Sequence, residues 1–156
     1  QSVQYRIVEF LMGNKDAKMI PVHAHDEQAV RNLTEALNTP SLYDEFIRLL
    51  DRRGFEIPPE VADRDITVPH QSDPGVLEAF KTIYQHPKEH WDLYEMAEKL
   101  VDIEEQFAHW RFRHMKVVER VIGYKTGTGG SSGVSFLRKM IDHRFFPELW
   151  EVRTHL

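Results

Sequence analysis

Residues 87 to 123 read PKEHWDLYEMAEKLVDIEEQFAHWRFRHMKVVERVIG, with no proline between Pro87 and Gly123 and no glycine before Gly123 itself. Apolar residues recur at Leu93, Ala97, Leu100, Ile103, Phe107, Trp110, Met115, Val118 and Val121, three or four positions apart or close to it. That period is the signature of one face of an α-helix. At the helical rise of 1.5 Å per residue, about 35 residues make a rod of about 50 Å. A rod of that length serves as the spine of a helical bundle, so the reading of this stretch sets the fold class as all-α.

The flanking sequence agrees. Val3, Ile7, Val8, Phe10 and Leu11 resemble a buried helix face, which Gly13-Asn14 stops. A second helix is predicted from about Asp26 to Leu37. A third starts at the N-cap Ser41, with Asp44 three residues on, and ends at Gly54. Residues 55–72 carry Pro58, Pro59 and Pro69 and lack helical periodicity, as an ordered surface connection would. Asp73-Pro74 caps and starts a fourth helix. After the long rod comes a polar, glycine-rich loop. A shorter helix follows from about Val134 to His143, and a last one begins near Pro147. No segment alternates with period two. One domain covering residues 1–156 is expected, and an opening inside a packed helix points to an N-terminal part not contained in this sequence.

Composition narrows the chemistry. The 156 residues carry a formal charge of −5, which argues against a face for nucleic-acid phosphates. No apolar run approaches the length of a membrane span. There is no cysteine, which excludes disulfides, iron–sulfur clusters and thiolate-ligated haem. A cytoplasmic address is the expectation. Histidine and carboxylate are left as metal ligands, and there are nine histidines.

His114 is singled out by position. It lies seven residues after Phe107, four after Trp110 and four before Val118, which places all four on one apolar face. A core histidine satisfied by its neighbours is one reading. The other is a haem ligand: a neutral imidazole on a helix, flanked by Trp110 and Val118 as an apolar wall. His109 is about 140° round the helix from His114, so the two do not grip one metal from one face. His86 and His90 lack the order of a zinc-protease pair, and His23 and His25 are expected at a solvated surface. Arg111, Arg113 and Arg120 are expected on a solvated face, with pairing to haem propionates as the alternative. Trp91, Trp150 and the phenylalanines are read as core.

The loop Gly127-Thr128-Gly129-Gly130-Ser131-Ser132-Gly133 is the second informative feature. Its glycines permit close backbone approach, and its N–H groups and hydroxyls suit a carboxylate or phosphate. It is not a P-loop, because Lys125 precedes the glycines. A linker between helices is the alternative reading.

The run from Phe107 to Gly123, the glycine loop with Lys125, and Phe136-Leu137 strongly resemble the tryptophan 2,3-dioxygenase family. Gln1 to Arg6, Glu9, Pro40-Ser41-Leu42-Tyr43 and Phe146-Pro147-Glu148-Leu149 resemble the same family, in its shorter bacterial form. The resemblance implies an all-α, tetrameric (dimer of dimers) enzyme with one haem b per subunit, Fe(II) when active. It implies cleavage of the indole C2–C3 bond of L-tryptophan by O2 to give N-formyl-L-kynurenine. It also implies His114 as the proximal iron ligand, which Trp110 and Val118 would flank by their spacing one turn either side. Thr128, with Gly127 and Gly129, would contact the amino-acid end of the substrate. The family's distal histidine and its carboxylate-clamping arginine lie upstream of the segment matching Gln1, so no residue of that catalytic set is expected in this chain. A related haem enzyme acting on another indole, and a haem-binding helical module without turnover, are the rival readings.

Overall fold

A computed structural model of the chain describes residues 2–123 and 134–156. The elements in order are α1 (Ser2–Met12), two 3-10 turns (Ala17–Met19 and Pro21–His23), α2 (Glu27–Leu37), α3 (Leu42–Arg52), α4 (Pro59–Ala62), α5 (Pro74–Gln85), α6 (Trp91–Ile122), α7 (Val134–Met140) and α8 (Pro147–Glu151), closed by a 3-10 turn at Val152–His155. No strand occurs among the described residues, and the fold is all-α.

The caps account for the boundaries. Asp26 accepts from the Ala29 N–H to start α2. Ser41 and Asp44 form a reciprocal capping box at α3. Asp73 accepts from the N–H groups of Gly75 and Val76, with Pro74 opening α5 where its missing N–H costs nothing. The long helix starts at Trp91, four residues later than Pro87; residues 87–90 form a turn, with His90 at the cap position. It ends at Gly123, whose φ of 61° favours glycine. Gly13 ends α1 at φ 130°, and a Cβ there would stand 2.8 Å from Cε1 of His70. Both positive φ and space therefore demand glycine at position 13.

Three apolar clusters organise the interior among the described residues. The largest joins α3, α5, the first half of α6 and α8 through Phe46, Leu50, Phe80, Ile83, Leu93, Ala97 and Leu149. Phe10, Leu33 and Ala36 seal α1 to α2. Met115 and Val134, with Val118 and Ile141 against them, seal the far end of α6 to α7. Lys15 is fully buried, and its ammonium donates to the carbonyls of Ala36, Leu37 and Thr39, closing the C-terminal end of α2.

The inward line of α6 differs from the expected apolar stripe. Glu104 and Arg111 are buried, whereas Ile103, Trp110 and Val121 are exposed. Glu104 accepts from the N–H groups of Phe145 and Phe146 and from the Trp150 indole, so it is a polar core residue with its partners in place. Apolar periodicity alone does not find such a residue. Trp91 and Phe112 are exposed, against their expected core role, and so are Val8 and Leu11 on α1. His23, expected in solvent, is buried, while His25 is exposed.

Candidate functional site

His114 stands in the last third of α6, beyond the point where the large core ends. It is half-buried, and burial is the one cause that holds its pKa below the ordinary histidine value. No hydrogen bond or ion pair engages its ring among the described residues. Instead the indole of Trp110, one turn earlier, lies against it with ring centroids 4.9 Å apart and planes 10° from parallel.

Trp110 is 44% exposed on its other surfaces. Its indole also stacks on Tyr5 of α1, at 5.0 Å and 25°. Tyr5, Trp110 and His114 thus form a run of rings from α1 to the histidine. Val118 turns toward Met115, Val134 and Ile141 and is half-buried there. The expectation that Phe107, Trp110, His114 and Val118 share one buried face holds in part. Phe107 and Val118 lean into packed clusters, and Trp110 borders solvent. Phe112, Val117 and Val121 add exposed apolar surface to this half of the helix.

Arg111 corrects the sequence reading most sharply. It was expected on a solvated face and is 1% exposed. Its Nε and Nη2 donate to the Glu9 carboxylate at 3.0, 2.7 and 2.9 Å, and its Nη1 donates to the His143 carbonyl at 3.2 Å. The guanidinium lies against the rings of Phe107 and Phe145, 4.8 and 4.7 Å from their centroids, where those two rings meet edge to face at 5.2 Å. Glu9 also accepts from the Asn14 amide at 2.8 Å. Arg111 is therefore committed to Glu9 and is not a free cation for a propionate. Arg113 and Arg120 are exposed as expected. Tyr5 and Glu9 entered the sequence reading only through the family resemblance and His143 only as a helix end, and none of the three was given a role at this site. No local motif marks a pair formed across about a hundred residues.

The arrangement suits an iron–porphyrin ligand. A stacked indole covers the π face of the imidazole and leaves the nitrogen lone pair free at the ring edge. A depressed pKa keeps that ring neutral at pH 7, the form that ligates metals. The surrounding apolar surface is what a macrocycle needs beside its ligand. Among the described residues no group of three or more histidines and carboxylates is placed to hold a metal ion, so the His86 and His90 pair is not completed. An open hollow of about 550 Å³ lined by Arg53, Phe55, Glu78 and His90 lies at the opposite end of α6, about 36 Å from His114 along the helix axis. Gly127, Thr128 and Gly129 lie outside the described residues.

Residues 75–156, which contain all of α5 but its first residue, α6 with His114, and α7, match the family model described as tryptophan 2,3-dioxygenase. The chain belongs to the tryptophan 2,3-dioxygenase family. It is 58% identical to the tryptophan 2,3-dioxygenase of Serratia proteamaculans over all 156 residues, which span 56% of that protein. It is 55% identical to that of Burkholderia cenocepacia, covering 50% of it, and 52% identical to that of Bradyrhizobium diazoefficiens, covering 56%. In both cases the whole of this chain aligns. The chain thus spans about half the length of the curated relatives it matches. Membership places the site on α6 in a family context without assigning roles to its residues. No helix among the described residues is long and apolar enough to cross a membrane.

Proposed function

We propose that the chain is the haem-holding part of an enzyme that cleaves the indole C2–C3 bond of L-tryptophan with O2, giving N-formyl-L-kynurenine. The observation that carries this reading is the His114 imidazole, neutral through burial, free of hydrogen-bonding partners among the described residues, and edged by apolar surface, in a chain of this family. Haem b, as Fe(II), is the expected cofactor, and when bound it supplies the activation of dioxygen.

The chain's own contribution is positional. His114 offers one neutral nitrogen lone pair, and Trp110 holds the plane of that ring. Val118 and Trp110 present apolar surface on either side of it. Thr128, with the backbone of Gly127 and Gly129, holds the amino-acid end of the substrate and so orients the indole. Residues outside this chain complete the pocket, in a homotetramer with a cytoplasmic address. The apolar residues left exposed on α1 and α6 support an assembly that covers them.

The test is product formation from L-tryptophan and O2 by the haem-loaded protein. N-formylkynurenine should appear, should vanish in His114→Ala, and should require more tryptophan in Thr128→Ala through a raised KM. Full turnover in His114→Ala would overturn the assignment of the ligand. An unaltered KM in Thr128→Ala would overturn the role of the loop.

A further inference from the structure

The ring stack and the buried ion pair meet on the same two helices, and together they define a brace behind His114. Tyr5 and Glu9 are four residues apart on α1, so they project from one face. Their partners, Trp110 and Arg111, are adjacent on α6. Glu9 fixes Arg111 with three short hydrogen bonds in a site where both side chains are 1% exposed. Tyr5 lies on Trp110, and Trp110 lies on His114.

We propose that Glu9 is a positioning residue for the His114 imidazole, acting with Tyr5: its grip on Arg111 fixes the rotation of α6 and brings the Tyr5 ring onto Trp110, which sets the plane of the His114 ring. This rests on the reading of His114 as the iron ligand.

The physical case is one of rigidity. A hydrogen bond to the second nitrogen is the usual means by which a ligating imidazole is oriented, and none reaches His114 among the described residues. Here a face-to-face indole supplies the constraint. The indole would itself swing toward solvent, since it is 44% exposed, were it not backed by Tyr5. Tyr5 in turn is held by the register of α1 on α6. That register has one charged, geometrically exact anchor in the bidentate Glu9–Arg111 pair, since a planar fork matches a carboxylate in few orientations. Asn14 and the His143 carbonyl complete the anchor from two further segments.

The experiment is resonance Raman spectroscopy of the ferrous haem-loaded full protein, reading the iron–histidine stretching frequency, together with the rate of haem loss to a scavenger. Glu9→Gln and Tyr5→Leu should each shift and broaden that band and speed haem loss about 10-fold, the low end of what loss of a ligand's supporting contacts costs. Tyr5→Phe, which keeps the stacked ring, should leave both unchanged. An unshifted band in Glu9→Gln, or in Tyr5→Leu where the Glu9 variant does not fold, overturns the proposal. So does an equal shift in Tyr5→Phe, which would assign the effect to the hydroxyl. His114→Ala is the control on the underlying reading: if the band survives in that variant, the ligand assignment fails. If His114→Ala abolishes the band while the Glu9 and Tyr5 variants leave it in place, the brace alone fails.

Discussion

The indole of Trp110 lies flat on the imidazole of His114, centroids 4.9 Å apart and planes within 10° of parallel. Removing the indole opens that face of the imidazole to water. Since burial is what depresses the His114 pKa, Trp110→Ala should raise it toward the ordinary histidine value. An NMR titration of the His114 Cε1–H resonance in the haem-free protein measures this directly. A pKa that stays put would mean that the desolvation comes from elsewhere.

The Glu9–Arg111 pair should be costly to break on one side. Glu9→Gln leaves a buried guanidinium without its counter-charge, and urea denaturation should show a loss of about 3–5 kcal/mol. The double replacement Glu9→Leu with Arg111→Met removes both charges and should recover part of that loss. A double variant less stable than the two single losses combined would contradict this account.

Two buried groups on one network give stability opposite pH dependences. Glu148 accepts from the Tyr43 hydroxyl at 2.7 Å and from the Asp73 N–H, and burial pushes its pKa up to about 7. The folded chain therefore holds a proton there that the unfolded chain has lost, so this contribution falls as pH rises from about 4.5 to about 7. His70 stacks on Tyr43 at 3.6 Å, and burial pulls its pKa down to about 4. Its contribution is complete above about 6.5 and is lost as pH falls toward 4. Between pH 4.5 and 6.5 the two slopes oppose each other. Glu148→Gln should make stability rise more steeply with pH in that window, and His70→Phe should make it fall. Parallel denaturation curves in both variants would refute the assignment.

Lys15 donates to three carbonyls at the end of α2 from a fully buried position. Lys15→Met should keep much of the packing but strand those acceptors, at roughly 1–3 kcal/mol. Hydrogen exchange should speed up first in the last turn of α2.

The helical class and most boundaries were legible because they depend on neighbours in sequence. Ser41 with Asp44, Asp73 with Pro74, and Gly123 act within one turn, and the structure uses each as read. The prominence of His114 followed from its spacing to Trp110, an i to i+4 relation that the stack realises. What escaped depends on partners far along the chain. Arg111 and Glu104 sit among residues that look solvated in sequence, yet they are buried because Glu9 and the Phe145–Phe146 backbone satisfy them. Conversely, Trp110, Phe112 and Val121 look like core and are exposed, since the large apolar cluster ends before this part of α6. The packing of Val118, one turn after His114, against the Met115–Val134 cluster was not legible either, because it depends on α7 folding back onto that side of the rod.

The central claim is that His114 holds the iron, and His114→Gly tests it with the cavity it creates. The ferrous protein should lose its five-coordinate histidine-ligated spectrum, and added imidazole, diffusing into the vacated space, should restore it. A ferrous spectrum in His114→Gly identical to that of the unaltered protein, with no response to imidazole, would contradict the account.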